Sequence, residues 1–233
     1  MNDEMLKSMD NILTDVIFVI QNTYIVYFFL AITFLLIGYF IGKKVRSNRI
    51  NVGEAAVMRI LSKSLSNRNY HLLNNITLPI ENGSTQIDHI LVSRYGIFVI
   101  ESKHYSGWIF ANPISKKWTQ VIYNEKYRFL NPLHQNAGHV NRIRELLDFI
   151  PSNDIHSLIV FTGGAEIKTV VPKNVIHIED LINFIKAFDK EVMSHNRLEF
   201  CVGRIESKRY QISKQTDIQH QESLRKKYGY LDQ

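Results

Sequence analysis

Residues 85–103, Thr-Gln-Ile-Asp-His-Ile-Leu-Val-Ser-Arg-Tyr-Gly-Ile-Phe-Val-Ile-Glu-Ser-Lys, constrain this chain more than any other stretch. Two runs rich in Ile, Val and Leu meet at Ser93-Arg94-Tyr95-Gly96, which predicts two short, buried, paired strands. If the loop is Arg94-Tyr95, Ser93 faces Gly96, and the same register puts Asp88 directly opposite Glu101. Opposed residues on a strand pair have Cβ atoms about 4.5–5.5 Å apart. Two carboxylates at that separation repel unless something positive stands with them. Lys103 lies two residues beyond Glu101 and so emerges on the same face. Two carboxylates and an ammonium are therefore expected to converge at one sheet edge. Hard divalent cations take one or two carboxylates, waters and phosphate oxygens, and this cluster offers such donors. The plainer explanation is a turn-capping Asp88 beside an ordinary Lys103–Glu101 strand-end pair, which would contribute little. An aspartate inside an apolar strand, on the face of the Glu-x-Lys, weighs against it.

The 233 residues suffice for one sizeable domain plus an appendage. A net charge of +6 suits a phosphate-rich partner or an anionic membrane and says nothing about fold. The single cysteine, Cys201, excludes a disulfide framework and a cysteine-rich zinc site within one chain. It is expected to be a plain small apolar residue.

Residues 23–42 read TYIVYFFLAITFLLIGYFIG and carry no charge. About 20 apolar residues of helix span a bilayer core. Tyr24, Tyr27 and Tyr39 lie towards the ends of this run, as interfacial aromatics do, and Lys43, Lys44, Arg46 and Arg49 follow it. This predicts an N-terminal segment, 1–46, with one transmembrane helix at about 23–42. By the positive-inside rule the N-terminus lies outside and the rest of the chain in the cytoplasm, a single-pass protein of the cell membrane with the lipid bilayer as a partner.

Beyond a short polar linker, Gly53 to Leu65 has helical spacing, with Glu54 in its first turn. Tyr70 to Pro79 predicts a strand that leads into the 85–103 hairpin. Trp108–Phe110 and Trp118–Tyr123 predict a second hairpin, with Gln120 on the face of Trp118 and Ile122. Asn131-Pro132 opens a helix that reaches about Phe149. On it His134 and His139 are five residues apart and do not share a face, so they are assigned structural or phosphate-contacting roles and no metal. Ile155–Phe161 and Val175–Ile178 predict strands, and Glu179-Asp180 opens another helix. The fold class is α/β, a central mixed β-sheet flanked by helices and preceded by one transmembrane helix. Residues 51–165 form the core, 166–200 add a strand and a helix, and 201–233 form a basic tail.

The Asp88 and Glu101-Ser102-Lys103 hairpin resembles the core of the restriction-endonuclease-like PD-(D/E)xK nucleases. The wider series is similar to one branch of them, the NERD (nuclease-related) domain. That series is Gly53-Glu54, Thr85-Gln86-Ile87-Asp88-His89, Tyr95-Gly96-Ile97-Phe98-Val99-Ile100-Glu101-Ser102-Lys103, Gly107-Trp108-Ile109, Trp118-Thr119-Gln120 and Asn131-Pro132-Leu133-His134-Gln135-Asn136. Ser102 stands where threonine is frequent and His104 where a polar residue such as asparagine is.

The resemblance implies a Mg²⁺- or Mn²⁺-dependent nuclease. Asp88, Glu101 and the Ser102 backbone carbonyl would hold the metal, with Glu54 as an added carboxylate. Lys103 would activate the attacking water or stabilise the phosphate, and Gln120 would position substrate or water. The expectation is a membrane-anchored, cytoplasm-facing enzyme hydrolysing phosphodiesters of DNA or RNA. The alternative is a non-catalytic nucleic-acid-binding, signalling or scaffold module that retains the fold.

Overall fold

The computed structural model describes residues 27–28, 30–38, 52–65, 67–81 and 83–210. The chain divides into two compact units, residues 1–50 and 51–233. In the first, residues 30–38 are helical and leave Phe34, Leu35, Leu36 and Ile37 exposed. The predicted transmembrane helix, 23–42, falls partly outside the described residues. Among the described residues, no helix is long and apolar enough to cross a membrane.

The second unit is mixed α/β. It opens with helix α1 (Val52–Ser64), followed by β1 (Tyr70–Ile80), β2 (Gly83–Ser93) and β3 (Gly96–His104). A five-stranded sheet has the order β1-β2-β3-β7-β9, with β7 at Ile155–Thr162 and β9 at Val175–His177. The first three strands are antiparallel neighbours, whereas β7 and β9 run parallel to β3. The β2–β3 register is the expected one, from Ser93 against Gly96 to His89 against Ile100. Gly96 is needed at the turn: its φ is 138°, and a Cβ there would stand 2.8 Å from the His156 ring.

Helices cover both faces of this sheet, as the near-continuous apolar strands require. On one face, α2 (Pro132–Leu146) and α4 (His195–Lys208) pack Val140, Ile143, Cys201 and Ile205 against Ile90, Ile97 and Val99. On the other, α1 and the short α3 (Leu181–Lys186) pack Val57, Leu61 and Ile185 against Leu91, Phe98 and Ile100. Cys201 is buried and free, as expected.

The structure departs from the sequence expectations at three places. First, there are two sheets, not one. The second hairpin, β4 (Gly107–Phe110) and β5 (Lys117–Ile122), joins β6 (Glu125–Leu130) and β8 (Ala165–Ile167) in a four-stranded sheet of order β6-β5-β4-β8. Second, β6 was not foreseen. Its sequence, EKYRFL, is exposed except at Phe129, so it lacks the apolar run that marks a buried strand. Third, residues 201–208 belong to α4 and not to a tail. Ser194 caps that helix by accepting the Arg197 N–H at 3.3 Å, and Leu198, Cys201, Val202 and Ile205 form its buried stripe. Cations on its other faces obscure that stripe in the composition.

Candidate active site

The site forms where β2 and β3 part. Asn74 pairs with His89 and Ile76 with Ile87, but Asn75, between them, has a left-handed φ of 51° and no strand partner. Asp88 lies at this break. Its Oδ2 accepts the Ser102 N–H at 2.8 Å and the Ser102 hydroxyl at 2.9 Å. Asp88 thus holds β3 through its side chain where the backbone ladder stops. Oδ1 accepts no hydrogen bond among the described residues.

Glu101 and Lys103 share one face of β3, as their spacing predicts. The Lys103 ammonium donates to Glu101 Oε1 at 2.5 Å and to Gln135 Oε1 at 3.1 Å. One of its three N–H groups has no protein acceptor among the described residues. Glu101 is only 2% exposed. Its Oε2 stands 3.4 Å from His139 Nε2, yet neither atom makes a well-formed hydrogen bond. His139 Nδ1 contacts the Thr85 hydroxyl at 2.9 Å. If that hydroxyl donates, the ring's remaining proton sits on Nε2, facing Glu101.

Helix α2 delivers Gln135 and His139 one turn apart, so they reach the strand end side by side. Two asparagines fix the helix. Asn131 accepts the Leu133 N–H at its N-terminus and donates to the carbonyls of Pro113 and Ser115. Buried Asn136 donates to the Val99 carbonyl and the Ser157 hydroxyl, pinning α2 to β3 and β7.

Glu54 arrives from the other face of the sheet. Gly53 lies so close to the strand ends that a Cβ would meet Thr162 Oγ1 at 2.8 Å and His104 Cβ at 2.9 Å. This approach carries Glu54 into the field of the strand-end charges. Burial, then Asp88 and Glu101, push its carboxyl up to about 7 against the pull of Lys103. Burial and Glu101 likewise push Asp88 up to about 6, with the Ser102 bonds and Lys103 opposing. Glu101 shifts the other way: burial would raise it, but Lys103 and His139 hold it below the ordinary carboxylate range. Burial works against the Lys103 ammonium, yet Glu101 and Asp88 raise its pKa.

The structure thus brings together Asp88, Glu101, Ser102, Lys103 and Glu54. It does not bring in Gln120, which is buried in β5 with its amide donating to the Ser106 carbonyl at 2.7 Å. No hydrogen bond links it to the charged cluster. It adds Thr85, Gln135 and His139, which the sequence reading passed over as site residues. The missed signal was the four-residue spacing of Gln135 and His139, hidden by pairing His139 with His134. His134 is exposed. Among the described residues, no three His, Cys, Asp or Glu side chains are grouped closely enough to hold a metal ion by themselves. A cation here would draw on the Ser102 carbonyl, which leaves the strand on the same edge as the N–H bonded to Asp88.

A mixed α/β domain with a carboxylate–lysine cluster at a strand end is the class that the fold and site define. Residues 50–162 match the model of the nuclease-related domain, NERD. The chain is also 34% identical over 152 residues to an uncharacterized protein of Bacillus anthracis, spanning 63% of this chain and 70% of that one. The chain belongs to the nuclease-related domain family. No solved structure gives a significant match.

Proposed function

We propose that this domain is a Mg²⁺- or Mn²⁺-dependent phosphodiesterase acting on nucleic acid, DNA foremost and RNA second, in the manner of the PD-(D/E)xK nucleases. One observation carries the reading: three carboxylates, Glu54, Asp88 and Glu101, share a single ammonium, and two of the three are pushed up to about 7 and about 6. A carboxylate set short of positive charge favours a cation. The free acceptors suit one: Asp88 Oδ1, the unpartnered Glu101 Oε2 and the Ser102 carbonyl, with Glu54 beside them. Bound there, a divalent cation would supply Lewis acidity at a phosphate oxygen and offset the phosphate charge. Lys103 has an N–H to spare for water or a phosphate oxygen, Gln135 accepts from Lys103, and His139 faces Glu101.

The anchor belongs to the same proposal. The charge-free run 23–42, the basic residues after it and the exposed apolar side chains of residues 30–38 support a helix holding the domain at the cytoplasmic face of the cell membrane.

The second reading is a nucleic-acid-binding or scaffold module without turnover. Lys103 already occupies one Glu101 oxygen, and no three acidic or imidazole side chains group as a metal cage among the described residues, which favours it. The test is calorimetric titration of Mn²⁺ and Mg²⁺ into the full chain, wild type against Asp88→Asn, with a gel assay on single-stranded, duplex and nicked DNA and on RNA. The nuclease reading expects metal binding and metal-dependent cleavage, with cleavage falling by at least about 10²-fold in the variant. Salt-sensitive DNA binding with no metal-dependent turnover leaves the second reading.

A further inference from the structure

The outer face of the four-stranded sheet plays no part in the site, and its composition is unusual. Alternation along the strands sends Ile109, Trp118 and Phe129 inward to a small core. The other face then carries Trp108 and Phe110 from β4, Lys117 from β5, and Lys126 and Arg128 from β6. The register sets them in rows: Trp108 lies beside Val121, which lies beside Lys126, and Phe110 lies beside Thr119, which lies beside Arg128, so the rings line β4 and two of the cations line β6, with β5 between them. Trp108 is 51% and Phe110 39% exposed. The acid on this face, Glu166, is paired with Lys168, whose ammonium lies 4.8 Å over the Trp108 ring. Lys117, Lys126 and Arg128 have no carboxylate partner among the described residues.

We infer that this face is a platform for single-stranded nucleic acid, with bases stacking on Trp108 and Phe110 and phosphates meeting Lys117, Lys126 and Arg128. Exposed rings bind any unpaired base by its flat surface, and cations without acidic partners neutralise the backbone. A duplex hides its base faces from such rings. The ring row and the cation row lie about 10 Å apart, two strand spacings, so a single strand can lay bases on β4 while its phosphates follow β6. The platform also adjoins the site in the chain: β3 ends at His104 and β4 begins at Gly107. This inference rests on the reading that the substrate is nucleic acid.

The test is fluorescence anisotropy of a labelled oligothymidylate with the full chain in EDTA, which prevents cleavage. Trp108→Ala and Phe110→Ala are each expected to weaken binding about fivefold or more. Lys126→Gln with Arg128→Gln should reduce the slope of log affinity against log salt by about 1.4, while leaving the fold intact by circular dichroism. The inference is overturned if affinity and slope ignore both pairs, or if a duplex of equal length binds as tightly. It is also overturned if phosphatidylserine vesicles, and not the oligonucleotide, lose binding on removal of the two charges. Cleavage is scored separately with Mg²⁺. Ring-dependent binding in a chain that never cleaves keeps the platform and removes the nuclease; cleavage with binding indifferent to all four substitutions does the reverse.

Discussion

The two ends of β3 are built for different purposes. From Gly96 to Ile100 every residue is buried and the side chains are apolar, packed between α1 and α3 on one face and α2 and α4 on the other. From Glu101 the same strand carries a carboxylate, a hydroxyl, an ammonium and an imidazole. The first end adds stability in proportion to the area it removes from water. The second spends some of it, because each charge gives up hydration and recovers it only through its partners. Within that charged end, Asp88 and Glu101 differ again. Glu101 has Lys103 at 2.5 Å and is stabilised as the anion, whereas Asp88 has only the Ser102 donors and is not. One carboxylate stabilised as the anion beside one that is not leaves negative charge unmatched, which a divalent cation would offset.

Lys103→Met gives the largest expected effect. It leaves Glu101, 2% exposed, without its ammonium, and removing one partner of a buried pair costs about 3–5 kcal/mol. Ile97→Ala, at the apolar end of the same strand, should cost about 2–5 kcal/mol through lost burial and a cavity. The two losses differ in kind. That of Lys103→Met should shrink at low pH, where Glu101 takes up a proton, and that of Ile97→Ala should not. Urea unfolding of both variants across pH measures this. Equal pH dependence would mean that the two ends of β3 do not differ as described.

How much of this the sequence disclosed depends on how local the cause is. The hairpin register follows from a two-residue turn and an alternating side-chain period, both local, so the meeting of Asp88, Glu101 and Lys103 was legible. The helix start at Asn131-Pro132 was legible for the same reason. The role of Asn131 in holding the β4–β5 loop was not, because its partners lie 16 to 18 residues away in sequence. Gln135 and His139 were visible as a four-residue pair but not as neighbours of β3, since the packing of a helix on a sheet is a tertiary fact. The second sheet was half legible. β4 and β5 alternate clearly, while β6 and the three-residue β8 are strands only because β5 and β4 offer them edges. Gln120 was misplaced for a related reason: alternation gives the face of a strand but not which sheet that strand joins.

The pH response sharpens the contrast between the two carboxylates. Asp88 moves from 3.8 to about 6 on folding, so the folded chain holds a proton that the unfolded chain releases. Its contribution to stability is present below the unfolded value and is lost as pH rises through about 6. Glu101, held low, behaves oppositely and loses its contribution as pH falls. His89 also opposes Asp88. Burial pushes it down to about 4, so it adds stability as pH rises towards its ordinary value. The total curve mixes these, but the difference between wild type and Asp88→Asn reports Asp88 together with the part of the Glu54 shift that Asp88 causes, and both have the same sign. In EDTA, the melting temperature of Asp88→Asn should gain on wild type as pH rises from about 4 to about 7. A gap that stays constant would mean that Asp88 is an ordinary, satisfied carboxylate.

Gln135→Ala should have the smallest effect. It removes one acceptor from Lys103 and leaves the 2.5 Å contact with Glu101 in place. A hydrogen bond to a partly exposed ammonium contributes about 1 kcal/mol, so the variant should fold and melt close to wild type. Its value lies in what it does to orientation. With Gln135 gone, Lys103 is tied to Glu101 alone, and its side chain can turn about that contact. If Gln135 positions Lys103 for the phosphate, cleavage should fall by about tenfold while Mn²⁺ affinity, on the proposed ligands Asp88 and Glu101, stays unchanged. Gln135→Glu, which keeps an acceptor, should restore part of the lost rate. If cleavage and metal affinity fall together, Gln135 shapes the carboxylates themselves, and α2 belongs to the cation site and not to the positioning of the lysine.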